Sequence, residues 1–181
     1  AEEWAADPDV RVDDVTLPEE FNGAHDLHEL VYTKALSYYF QDEYEQSLSL
    51  LSDTFRDMLE RGRKVTPEAY WNGIACQRAL ANQLDAFFED YDVILNLSTS
   101  GEAPMGLYGR DKKDCCLIWT MCHVPALNLP VFQSPSGLPF GAQIVARRYN
   151  DRSLFYFARV VRDKGLLLDW RKEGSPKGNS K

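Results

Sequence analysis

The chain has 181 residues, 44% of them apolar and 12% aromatic, with a formal net charge of −8 at pH 7. That length and composition suit one globular domain, or a large part of one, and exclude a disordered chain. The carboxylate excess excludes an exterior built for nucleic acid or an anionic membrane, since both polyanions would be repelled over most of it. No stretch approaches the roughly 18 consecutive apolar residues of a membrane span, and no charged-then-apolar leader opens the chain. Cys76, Cys115, Cys116 and Cys122 lack the spacing of a secreted disulfide scaffold, and an adjacent pair does not easily bridge to itself. The expectation is reduced thiols in a cytoplasmic protein.

In chain order, Arg11 to Leu17 places Val12, Val15 and Leu17 at near-alternate positions ahead of Pro18, which predicts a short strand. From about Ala24 to Phe40, Leu27, Leu30, Val31, Tyr32, Ala35, Leu36 and Tyr39 recur at helical spacing and predict one buried face. A second helix is expected over 42–60 with Leu48, Leu51, Phe55, Met58 and Leu59 inward, and with Gly62 after its basic end. Thr66-Pro67-Glu68 opens a third: a hydroxyl to cap free amides, a proline that loses no bond in the first turn, and a carboxylate at the positive end. That helix is expected to reach Asp90, with Tyr70, Ile74, Ala81, Leu84 and Phe88 inward.

Three near-continuous apolar runs follow, 92–97, 124–129 and 141–146, the mark of strands covered on both faces. Asp151 to Arg162 closes as an amphipathic helix with Leu154, Phe155, Phe157, Ala158 and Val161 apolar. Between the first two runs, residues 98–113 form the one long irregular stretch, and long ordered loops at strand ends are where sites are usually built. Helices alternating with buried strands predict an α/β layered domain.

Gly62, Tyr70, Asp92 to Leu95, Ala103-Pro104, Trp119-Thr120, His123-Val124-Pro125-Ala126, Pro130, and Gly137-Leu138-Pro139-Phe140-Gly141 with Gln143 stand in an order that resembles the closing third of an amidase-signature hydrolase. The resemblance runs from Val10 to Leu168. It implies layered helices on a mixed β-sheet, with residues 1–170 as the C-terminal portion of an amidase-signature domain and 171–181 as a flexible basic tail. The activity it implies is hydrolysis of carboxylic amide C–N bonds by a nucleophilic serine, a second, cis-bonded serine and a lysine, with a glycine-rich loop holding the oxyanion. None of those positions aligns here, so no catalytic residue, cofactor or metal is assigned to this chain. The implied partner is a missing N-terminal catalytic segment or a second chain, with a small amide as substrate. Strands built to be covered would leave the isolated chain sticky or homo-oligomeric.

Two departures bear on substrate. Leu97 stands where the family commonly has proline, and His123 where it often has glycine. Both lean away from the glutamyl-tRNA amidotransferase branch and toward the small-amide and aryl- or alkyl-amide branch. In the resembling enzymes the stretch holding Trp119, Cys122 and His123 lies near the acyl-binding end of the cleft, which implies a substrate-pocket wall; ordinary helix-to-strand packing is the other reading.

Other constellations are weaker. Ser98-Thr99-Ser100-Gly101 and Ser134-Pro135-Ser136-Gly137 read first as turns. His25 and His28, one helical turn apart, fall short of the three or four convergent ligands a zinc site needs. Cys122 beside His123 suggests a thiol nucleophile with its base, yet neighbours on an extended segment point to opposite faces. Tyr38, Tyr39, Phe40 and Tyr44 read as sheet-covering aromatics before channel lining. The alternative to an enzyme part is a non-catalytic binding or scaffolding module that reuses this portion of the fold.

Overall fold

The computed structural model describes residues 2–106 and 115–165, so the 171–181 tail lies outside the described residues. Its contacts divide into two units, Leu17–Leu84 and the combination of Ala1–Thr16 with Asp85–Lys181.

The Leu17–Leu84 unit is helical. Helix α1 (Glu2–Ala5) belongs to the other unit; here stand α2 (Ala24–Tyr39), α3 (Gln41–Gln46), α4 (Asp53–Lys64) and most of α5 (Pro67–Phe87). The single helix expected over 42–60 is broken. Ser47 ends α3, a 3-10 turn spans Leu48–Leu50, and Ser52 restarts the chain by accepting the Phe55 amide at 3.3 Å. Serines compete with helical bonding through their hydroxyls, which makes them better caps than interior residues. The third helix starts as predicted, with Thr66 Oγ1 accepting from the Ala69 amide at 3.1 Å, but ends at Phe87 rather than Asp90.

Gly62 is no stop signal. It sits buried inside α4, and a Cβ there would stand 1.9 Å from the Thr33 carbonyl oxygen and 3.0 Å from Ser37 Cβ. The buried residues of α2 are accordingly small ones, Ala24, Thr33 and Ser37. The two hydroxyls are satisfied by their own helix, Thr33 Oγ1 donating to Glu29 O at 2.7 Å and Ser37 Oγ to Lys34 O at 2.8 Å, so their burial strands no polar group. Part of the expected apolar face serves elsewhere: Leu27, Leu30 and Val31 lie against Gly73 of α5. Tyr32 and Tyr39 are exposed.

The second unit is a three-stranded sheet with a helix on one face. Strands β1 (Ile94–Leu97), β2 (Ala126–Gln133) and β3 (Pro139–Val145) lie in the order β1-β3-β2. Every pairing among the described residues is antiparallel, so the mixed sheet expected for the full fold is represented here by its antiparallel part. Only β3 is covered on both faces; β1 and β2 flank it and are half-exposed. Pro130 has no amide to give a ladder, and the β2–β3 register shifts between Leu129 and Phe132. Short helix α6 (Leu117–Met121) precedes β2, and α7 (Asp151–Asp163) follows β3.

Pairing puts Leu95, Ile144 and Leu127 on one sheet face. That face carries the core, in which Ile144, Ala146 and Leu129 pack with Leu154 and Val161 of α7 and with Trp4. The predicted strand at 11–17 does not form. Val10 and Val12 do pack against this core, which accounts for the near-alternation in the sequence without a hydrogen-bonded neighbour.

Candidate functional site

The opposite sheet face is polar at its centre. Asn96, Gln143 and Asn128 occupy directly paired positions on the three strands, so three carboxamides form a row across the sheet. Gln143 is the buried one, at 3% exposure. Its Nε2 donates to Leu97 O and to Cys115 O, each at 3.2 Å, while the Cys116 thiol lies 3.4 Å from its Oε1 and 3.4 Å from Ser98 O. Asn96 Nδ2 reaches the same Cys115 carbonyl at 3.4 Å, and Asn96 Oδ1 has no hydrogen-bond partner among the described residues. Beside the row, Ser98 Oγ donates to Gly141 O at 2.8 Å. A Cβ on Gly141 would meet Asn128 Oδ1 at 2.5 Å and Leu129 O at 2.6 Å, so this position requires glycine for close approach.

The amide row holds the segment that enters α6, and α6 carries the stretch singled out from the sequence. Trp119 is 5% exposed and Cys122 fully buried, whereas His123 is exposed. The Trp119 Nε1 is enclosed with no hydrogen-bond partner among the described residues. The segment is a helix end rather than an extended strand: the Cys122 amide donates to Ile118 O at 2.9 Å and the His123 amide to Thr120 O at 3.2 Å. His123 then takes a φ of 56°, the left-handed region that glycine enters freely and a branched side chain does not.

Two environments therefore sit one residue apart. Burial pushes the Cys122 thiol up to about 11, opposed by the Arg148 guanidinium and reinforced by the Asp85 carboxylate. A thiol so placed stays protonated at neutral pH and is a poor nucleophile. Arg148 Nε donates to Asp85 Oδ2 at 2.9 Å, and this pairing raises the Arg148 pKa.

Glu102 ties the irregular stretch to the β2–β3 turn. Its carboxylate accepts from the Ser136 hydroxyl, and hydroxyl bonds from Ser134 and Ser136 hold it below the usual carboxylate range. Ser134 also orders the turn, its Oγ accepting from the Leu138 amide at 3.1 Å.

In the helical unit, His28 stacks on Tyr32 with ring centroids 5.2 Å apart, and no three His, Cys, Asp or Glu side chains among the described residues gather where they could hold a metal. Tyr38 and Tyr39 are 73% and 76% exposed, which corrects the expectation that they cover a sheet. Phe40 packs edge-on against Phe55, and Tyr44 lies under Arg63. A cleft of about 300 Å³ is lined by Asp26, Glu29, Leu30, Thr33, Arg61 and Val65. Its guanidinium is already paired with Glu29 and Asp57.

The carboxamide row was missed in the sequence, although a signal was there. Each apolar run, Ile94-Leu95-Asn96-Leu97, Ala126-Leu127-Asn128-Leu129 and Ala142-Gln143-Ile144-Val145, holds one amide near its centre. What the sequence lacks is the register that aligns them.

Comparison with known proteins follows the same residues. The Amidase family model matches residues 10–155. A mitochondrial glutamyl-tRNA(Gln) amidotransferase subunit from Aedes aegypti is 25% identical over 111 residues, covering 56% of this chain and 22% of that protein. The corresponding protein of Helicobacter pylori (strain G27) is 28% identical over 172 residues, covering 88% of this chain and 35% of that protein. A crystal structure of an amidase superposes with a TM-score of 0.71 at 21% identity, over 80% of this chain and 36% of that one. The chain thus spans between about a fifth and a third of the length of these relatives.

Proposed function

This chain belongs to the amidase family, and from that premise we propose that it forms the C-terminal part of an enzyme that hydrolyses carboxylic amide C–N bonds, residues 1–170 supplying sheet strands and one wall of the substrate pocket. The serine pair and lysine of the family reaction come from polypeptide outside these 181 residues. Supporting this division, Ser98 is bonded to the Gly141 carbonyl and Ser134 to the Leu138 amide. Ser98 has no general base beside it in this bond, as an activated serine requires, and the carboxylate that Ser134 meets, Glu102, is held below the usual carboxylate range and is a correspondingly weak base.

The observation that carries the wall reading is the contrast across α6. Trp119 and Cys122 are enclosed, and His123 projects from a left-handed backbone position at the helix end. Trp119 and Cys122 provide an apolar base, and the imidazole provides a polar edge that the family's common glycine lacks. A pocket narrowed in this way favours a small acyl group, and we assign a small amide as substrate. None of the four cysteines is joined in a disulfide, which supports a cytoplasmic setting. No helix among the described residues is long and apolar enough to cross a membrane.

Native material resolved by light scattering and denaturing mass spectrometry, then assayed on simple carboxamides, tests the proposal. The expected result is amide turnover wherever these residues occur with a Ser-Gly-rich segment, on the same or a second polypeptide, and none without it. A lone, monodisperse 181-residue monomer that is cooperatively folded and inactive in its native setting would favour a binding or scaffolding module.

A further inference from the structure

Both N–H groups of the Gln143 carboxamide are engaged, and its carbonyl oxygen shares a single thiol donor with Ser98 O. Two N–H bonds go to Leu97 O and Cys115 O at 3.2 Å, and the Cys116 thiol stands 3.4 Å from the carbonyl oxygen. A buried amide whose two donors are both bonded is a specifying contact, because any shift of those partners leaves a polar group unpaired in the interior. The partners lie in separate parts of the chain: Leu97 ends β1, while Cys115 and Cys116 lead directly into α6. Helix α6 has only five residues, too few to hold itself in water. Its orientation must come from what grips its ends, and Gln143 grips the N-terminal one.

We infer that Gln143 is the positioning residue of the α6 wall: from the central strand it fixes the Cys115-Cys116 entry, and through it the placement of Trp119, Cys122 and His123. This rests on the pocket-wall reading for its consequence in catalysis, but the clamp itself is read by exchange and labelling, without turnover, in the native protein that contains these residues.

Gln143→Met keeps the length of the side chain and removes both donors and the acceptor. The readouts are amide hydrogen exchange over residues 117–124 and iodoacetamide labelling of Cys116, each as a ratio to the unsubstituted chain. We expect both to rise about tenfold or more, as befits the loss of several net hydrogen bonds, with exchange in the β2–β3 ladder changed less than about twofold. Equal loosening of ladder and α6, or no change in either, would overturn the inference.

Gln143→Glu gives a signature that packing alone would not. Its protonated carboxyl can donate one bond to a carbonyl and accept from Cys116, whereas the carboxylate cannot donate. Burial raises the pKa of such a group. The Glu chain should therefore fall between the unsubstituted and Met chains at pH 5 and match the Met chain at pH 8. A pH-independent ratio would count against the clamp, and this arm still reads if Gln143→Met fails to fold. Failure of the wall reading looks different: in a complete enzyme, His123→Gly would leave KM for benzamide unchanged while Gln143→Met still loosened α6.

Discussion

Cys122 and His123 illustrate how one peptide bond can separate opposite chemistries. The thiol's pKa stands at about 11 against an ordinary 9.0 because burial disfavours the thiolate. Between those values the unfolded chain has released a proton that the folded chain keeps, so stability falls as pH rises from 9 to 11. Each pKa unit of that difference is worth at most about 1.36 kcal/mol of stability. Urea unfolding across that window should give a flatter pH dependence for Cys122→Ala than for the unsubstituted chain; parallel curves would remove burial as the cause. For His123 the backbone decides, since φ is 56°. His123→Gly should be more stable than His123→Val by about 2 kcal/mol, both variants having lost the imidazole, because only glycine takes that region without a Cβ clash. Thermal unfolding of the pair decides it, and equal midpoints would contradict the left-handed assignment.

At the scale of elements, the helix–helix contact at Gly62 is the strictest geometric requirement. An alanine there gains about 1 kcal/mol of helix propensity but places its methyl 1.9 Å from the Thr33 carbonyl oxygen, and backbone on a packed helix does not yield cheaply. Gly62→Ala should cost a net of about 2–3 kcal/mol. Gly23→Ala, with nothing within 4 Å of its Cβ, should change little; similar losses at both would show that the α2–α4 crossing is looser than described. This contact marks the limit of reading elements from sequence. The Thr66-Pro67-Glu68 start was legible because capping is local chemistry, and so was α7, whose apolar stripe has a single period. The break at Ser47 to Ser52, the packing role of Gly62 and the missing strand at 11–17 were not. Each depends on which segment lies opposite, and a one-dimensional pattern does not carry that. The strand runs were legible, while the order β1-β3-β2 that lines up Asn96, Gln143 and Asn128 was not.

At the scale of the whole molecule, the motifs that reveal the family are those that build its sheet. Gly137-Leu138-Pro139-Phe140-Gly141 forms the turn and opening of the central strand, Gly141 being required where neighbouring strand atoms approach within 2.6 Å of a would-be Cβ. Gln143 follows two residues later and holds α6. Family membership was therefore readable because the same residues specify the local geometry, and the match over residues 10–155 agrees with it. The residues of the proposed wall were nameable only through that resemblance, since neither Trp119 nor His123 carries a pattern of its own. The sheet flanks are half-exposed and the relatives are about three times longer, which is the basis for assigning the bond-breaking groups to further polypeptide. The most direct test is turnover of benzamide by the 181-residue chain, shown by denaturing mass spectrometry to be free of any other polypeptide. The expected result is no hydrolysis above buffer, with turnover appearing only when a Ser-Gly-rich catalytic segment is present. Hydrolysis that persists in the homogeneous chain and disappears on Cys122→Ala or His123→Ala would contradict it, placing a nucleophile or its base among these residues.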